Sequence, residues 1–185
     1  ALIVGEGNGR FLSELLRVHP SIEVDCVDAS AGMLRLAQQR IRDLLPGLAG
    51  RVRFLNEDIT LWQPPRSCYD LVVTHFVLDC FQEAELGGIL EKLARAATDD
   101  AHWLLADFRI PPNGVTRFRA RLWLAAMYLF FRITARIGAT HLIDPAPLLR
   151  GAGFALVQQH LFHCGMLKSE LWRGNFQLRQ CDLSA

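Results

Sequence analysis

Within eleven residues the chain passes from an apolar run, Ala1-Leu2-Ile3-Val4, through three alternating glycines, Gly5, Gly7 and Gly9, into Arg10-Phe11, where helical periodicity begins. No other stretch narrows so far what the chain can fold into. Continuous apolar residues read as a parallel strand covered on both faces. Glycines directly after it permit a sharp turn and leave a bare backbone that a ligand can approach. The helix entered from that turn presents its free N–H groups to the same gap. Taken alone, the three glycines also fit a plain close turn between strand and helix.

The second strand sharpens the reading. Ile22-Glu23-Val24-Asp25-Cys26-Val27 delivers Asp28 twenty-three residues after Gly5. In nucleoside-binding open sheets a carboxylate at about this distance accepts the ribose hydroxyls. Asp28 also suits a cap for the helix beginning near Ser30, but strand, glycine turn, helix, strand and acid in that order favour the ribose role. A dinucleotide fingerprint wants a small residue three positions after the second glycine. That position holds Arg10, and the third glycine stands at Gly9 instead.

The rest of the chain repeats the alternation. Apolar residues at helical spacing mark helices from Phe11 to Leu16, from Ser30 to Leu45 and over residues 82–97, with Met33 on the core side of the second. Strands are expected at residues 51–56, 69–74 and 102–107. Asp144-Pro145 opens a short helix, Gly151-Ala152-Gly153 closes it, and a strand to Phe162 turns at Gly165 and returns over residues 170–180. With 185 residues, a hydrophobic fraction of 51% and 21% charge, one domain over residues 1–185 is expected. The net charge of +1 gives no general attraction to nucleic acid. Cys26, Cys68, Cys80, Cys164 and Cys181 form no Cys-x-x-Cys pair and read as reduced thiols, while His141, His160 and His163 stand too far apart to imply a metal.

The Gly-x-Gly-x-Gly turn with Asp28 and the segments Val52 to Ile59 and Tyr69 to Phe76 together resemble the class I S-adenosylmethionine-dependent methyltransferases, from residue 1 to about residue 110, and the closing hairpin resembles that family's antiparallel sixth and seventh strands. The resemblance implies a doubly wound, Rossmann-like α/β fold with seven strands, mostly parallel, ending in an antiparallel hairpin. It implies S-adenosylmethionine as cofactor, cradled by Gly5, Gly7 and Gly9. Asp28 and Ala29 would lie at its ribose, Met33, Asp58 and Ile59 at its adenine, and Thr74 at its methionine end. Family members commonly carry an acid two residues before the first glycine, where this chain has Ile3. Recognition of the cofactor's amino group then falls to backbone carbonyls at Gly5 and Thr74, or to an acid elsewhere. The chain has no initiating Met, so lid helices that usually precede the first strand are expected to be missing.

The candidate chemistry gathers after the fourth strand. His75 and Asp79 are the nearest titratable pair: histidine titrates near neutral pH and accepts a proton from a hydroxyl or amine when a carboxylate orients it. Each also has a structural reading, His75 bonded to backbone and Asp79 capping the helix that follows. Trp62 reads as a cover for the sheet edge or a stacking partner for adenine, and Asp70 as a turn residue. Asp107-Phe108 resembles an Asp-Phe pair of the ubiquinone and menaquinone branch, with Asp107 either binding substrate or fixing its loop through Arg109.

Residues 115–139 carry five arginines and no acid around ten apolar residues, Leu122 to Phe131, far short of the about 20 that span a bilayer. They read as a helix over the substrate, with Trp123 and Tyr128 lining an apolar cavity and His141 facing it, as an interfacial helix touching a membrane surface, or as a core helix with an arginine rim. The expected protein is a cytoplasmic methyltransferase, peripheral to a membrane in the second of these readings, acting on a small apolar or quinone-like molecule. Its rivals are a nicotinamide-dependent oxidoreductase, which predicts a parallel sixth strand, and a non-catalytic binding protein. The segment Thr74-His75-Phe76-Val77 lacks the aromatic-proline tetrapeptide of enzymes that methylate flipped bases.

Overall fold

The computed structural model describes residues 1–109 and 143–175. They form a seven-stranded sheet in the order β3-β2-β1-β4-β5-β7-β6. In chain order its elements are β1 (Leu2–Val4), α1 (Arg10–Val18), β2 (Val24–Val27), α2 (Ala31–Leu44), β3 (Val52–Leu55), β4 (Tyr69–His75), α3 (Glu83–Ala96), β5 (Ala97–Phe108), α4 (Ala146–Gly151), β6 (Phe154–Phe162) and β7 (Leu167–Gly174). Strands β1 to β5 run parallel, whereas β7 lies antiparallel to both β5 and β6. The expected hairpin is therefore present: β7 is inserted antiparallel between β5 and β6, where the oxidoreductase reading expects the sixth strand to pair directly, in parallel, with the fifth.

Alternation along the strands divides the core. Ile3, Val24, Cys26 and Val73 point to one face, where Leu12, Leu15 and Leu16 of α1 and Leu34 and Ile41 of α2 cover them. Leu2, Val4, Val72, Trp103, Leu105 and Trp172 point to the other and meet α3 and α4. Each fully buried leucine contributes about 1.5–3 kcal/mol of transfer free energy, so these two stripes fix which way every strand faces. Trp103 donates its indole N–H to Thr74 Oγ1 at 2.8 Å and packs edge-on against Phe154. Its polar atom is thus satisfied in the centre of the sheet.

Several expectations change. Strand β5 is longer than its apolar run, because α3 passes directly into it at Ala97 and the parallel pairing with β4 begins there. Met33 is 43% exposed rather than core, since the buried stripe of α2 runs through Leu34, Ala37 and Ile41. Asp79 does not cap α3. Gln82 does, in a reciprocal capping box with Glu85. Asp70 is a strand residue that accepts a hydrogen bond from Thr98, and Trp62 is partly buried against the core. Trp123, Tyr128 and His141, with the whole stretch 115–139, lie outside the described residues. Among the described residues, no helix is long and apolar enough to cross a membrane.

The passage from Gly9 into α1 shows how tightly the layers meet. Gly9 has φ +80°, and a Cβ there would stand 2.9 Å from Cα of Ala37 on α2. Gly9→Ala is expected to lower stability by about 2 kcal/mol or more through strain and overlap together, read as a shift in the urea midpoint.

Candidate functional site

The carboxyl ends of β1, β2 and β4 open on a cavity of about 500 Å³ lined by Gly5, Asp28, Ala29, Asp58, Ile59 and Val77, among others. A Cβ on Gly5, at φ +70°, would lie 2.6 Å from Val77 Cγ2, while one on Gly7 would meet nothing within 4 Å. Gly5 is therefore glycine for packing, and Gly7 leaves bare backbone toward open space. Gly7 N donates to Asp28 Oδ2 at 3.3 Å and Ser30 N to Oδ1 at 2.8 Å. Asn56 Nδ2 holds the same corner by donating to the carbonyls of Asp28 and Ala29, each at 3.0 Å. Asp28 does not cap α2, because Ser30 is the N-cap and accepts from Met33 N; its carboxylate steadies the turn before that helix, at the strand end where nucleoside-binding open sheets receive ribose hydroxyls.

Asp58 is exposed, and its Oδ1 accepts from Thr60 N at 2.8 Å and Thr60 Oγ1 at 2.7 Å, which hold its carboxyl below the usual range. It closes a turn and faces the cavity at once. Met33 and Thr74 do not line that cavity. The Thr74 hydroxyl is committed to Trp103, and Met33 stands on the exposed side of α2. Cys80, Phe81 and Gln82 line the cavity without having been singled out in the sequence, because the short 3-10 turn Leu78–Cys80 folds them back over it.

Glu6 carries a less visible role. Its Oε1 accepts from Leu12 N at 3.0 Å, within the first turn of α1. Burial pushes its carboxyl up to about 7. The backbone N–H groups of Leu12 and Phe11 oppose that rise, the charge of Asp28 adds to it, and Arg40 opposes it.

The expected pair of His75 and Asp79 does not form. No hydrogen bond joins them; the His75 ring lies edge-on to Phe11 at 4.5 Å, and burial lowers its pKa to about 4. Asp79 is 9% exposed and Asp107 2% exposed, and Asp107 lies in the field of Asp79. Burial raises both, and for Asp107 the charge of Asp79 is the next cause, taking it to about 8. Asp107 accepts from Phe108 N at 2.8 Å, not from Arg109, so the loop-fixing bond expected for it is absent. The neighbouring charges are ordered: Lys168 donates to Asp144 at 2.8 Å and stands 3.2 Å from Glu170, which accepts from Gln159 and Trp172. Among the described residues, no group of histidine, cysteine and acids could hold a metal.

A sequence model described as a methyltransferase domain matches residues 1–100. The chain belongs to that methyltransferase family. A malonyl-[acyl-carrier protein] O-methyltransferase of Paenibacillus sp. (strain JDR-2) is 30% identical over 83 residues, covering 44% of this chain and 28% of that protein. An O-methyltransferase family 2 protein from Planctomyces limnophilus DSM 3776, solved in complex with apigenin, superimposes with a TM-score of 0.74 at 16% identity, over 93% of this chain and 49% of the other. The [4+2]-cyclase SpnF superimposes with a TM-score of 0.69 at 14% identity, over 94% of this chain and 73% of that one. The chain thus spans under a third of the curated relative and about half of the first of these structures.

S-adenosylmethionine is the cofactor implied for this class I fold, and the residues fit it. Gly7 offers bare backbone, α1 offers its N-terminus, and Asp28 keeps acceptor oxygens at the rim of a cavity large enough for a nucleoside.

The raised Asp107 fixes a sign for stability. Its folded pKa of about 8 exceeds the unfolded value of about 3.9. The folded state therefore binds more protons between those values, and this contribution is full below about pH 4 and is lost as pH rises through about 8. Asp107→Asn is expected to flatten that fall and to be more stable than the parent at about pH 8, measured by urea unfolding at several pH values.

Proposed function

We propose that this chain transfers the methyl group of S-adenosylmethionine to a hydroxyl oxygen of a small apolar, quinone-like acceptor. The observation that carries the reading is the buried acid pair Asp79 and Asp107, set at the carboxyl ends of β4 and β5 beside the glycine cradle. Bound S-adenosylmethionine supplies an electrophilic methyl group. The protein's own task is to position the acceptor and to take the proton its hydroxyl loses. Two carboxylates that resist ionising together keep one proton at neutral pH and can accept another. His75, neutral with its low pKa, adds ring surface rather than a base.

The acceptor's character follows from what stands at the same strand ends. Phe76 holds φ +53° and stays 46% exposed, with its ring 5.2 Å from that of Phe108. A bulky residue held in the left-handed region at a strand end is uncommon, and its exposed ring beside the half-buried ring of Phe108 suits a flat apolar acceptor. One structural relative, an O-methyltransferase family 2 protein, was solved in complex with apigenin. A cytoplasmic protein that touches a membrane surface through residues 115–139 would meet such acceptors where they dissolve.

Calorimetric titration of S-adenosylmethionine and of NADH tests the cofactor. The first is expected to bind and the second not, and Asp28→Ala is expected to weaken binding at least about tenfold, about 1.4 kcal/mol. Transfer of a radiolabelled methyl group to quinols tests the chemistry. Asp79→Asn and Asp107→Asn are each expected to slow turnover by about 10²- to 10⁴-fold while leaving cofactor affinity nearly unchanged. Full turnover in both variants would remove the acid pair from the reaction.

A further inference from the structure

The resemblance to the methyltransferases leaves an acid unaccounted for at Ile3, and the turn supplies one of its own three residues later. Glu6 sits between Gly5 and Gly7, and its side chain reaches over the turn to Leu12 N. Leu12 is the third residue of α1, whose N-cap, Gly9, makes no side-chain bond to the free first-turn N–H groups. Position 9 has no room for a capping side chain, because its Cβ would run into Ala37. Glu6 therefore caps the helix from inside the loop, a task that Ser or Asp at the N-cap would otherwise perform.

The charges around this carboxylate come from two elements. Asp28, at the end of β2, stands close enough to repel it, with the Cys26 thiol of the same strand in its field. Arg40 of α2, which donates to the Asn8 carbonyl at 2.8 Å, attracts it. Glu6 and Asp28 are thus two acids on the two sides of Gly7: one tied to the helix, the other tied to Gly7 N itself.

Building on the cofactor reading above, we propose that Glu6 is the positioning acid of the cofactor turn: it clamps α1 onto Gly5 to Gly9 and supplies the negative charge that position 3 lacks. A cationic ligand laid on the turn favours the ionised carboxylate, so binding releases a proton wherever Glu6 was still protonated. Affinity for a cation therefore rises with pH across the neutral range, whereas affinity for an uncharged analogue changes little.

The test uses the full chain, with S-adenosylmethionine and the uncharged nucleoside adenosine as probes, titrated calorimetrically at about pH 6 and about pH 8.5. Two buffers of different ionisation enthalpy report the protons exchanged. For the unaltered protein, affinity for S-adenosylmethionine is expected to rise about fivefold more over this range than in Glu6→Gln, with about half a proton more released at about pH 7. Glu6→Gln keeps an acceptor for Leu12 N and should melt close to the parent. Glu6→Ala loses cap and charge and should bind more weakly at both pH values. Equal pH dependence and equal proton release in the parent and Glu6→Gln would overturn the proposal while leaving the cofactor reading intact. Failure of the parent to bind S-adenosylmethionine at either pH would overturn both.

Discussion

The close approach of backbone at the first turn is the constraint on which the structure depends. Gly5 comes against Val77 beyond the end of β4, and Gly9 against Ala37 of α2. The turn is thereby pressed against the Val77 side chain at one end and against α2 at the other, with no Cβ of its own at either contact. Packing of this kind makes the cleft a property of the core: the contacts that press α1 and α2 onto the sheet also hold the turn open toward the cavity. The polar bonds at Asp28, Asn56 and Glu6 then set its finer shape.

Charge is buried in two different ways at the carboxyl ends of the strands. Lys168 with Asp144 and Glu170 is a compensated set, in which the buried amine has carboxylate partners and Glu170 accepts two further donors. Such a set costs desolvation and returns most of it as hydrogen bonding. Asp79 and Asp107 have no ion-pair partner of their own among the described residues, and the Lys168 charge only partly opposes the rise at Asp107. Groups held against their own ionisation are common where a protein performs acid–base chemistry, and the contrast between the two sets directs attention to the second.

How much of this was legible in the sequence depended on whether a residue's role was local. The glycine turn, Asp28 and the antiparallel hairpin were readable because a strand, a tight turn and a helix impose spacing on the chain itself. Asp58 was readable for the same reason. The proximity of Asp79 to Asp107 was not, because twenty-eight residues separate them and it takes both the parallel register of β4 with β5 and the 3-10 turn Leu78–Cys80 beyond β4 to bring them near each other. His75 drew attention by its chemistry, yet its ring rotates toward Phe11 and away from any carboxylate. Glu6 was hidden by its neighbours, since an acid between glycines reads as a solvated turn until the helix it caps is in view. The start of β5 was misjudged because Asp99 and Asp100 interrupt the apolar pattern, and the pairing with β4 made at Ala97 resumes only at His102 after a break in register.

The two ends of the stretch between Arg109 and Ile143 are fastened to the same piece of sheet. Arg109 N donates to Met166 O beside the hairpin, and Asp144 is bonded to Lys168 two residues further along it. A segment whose ends are held side by side can be lengthened, shortened or replaced without altering the register of the strands that carry it. The fold thus sets two kinds of constraint side by side: a turn in which Gly5 and Gly9 have no room for a Cβ, and a connection tied to the sheet only at two neighbouring points.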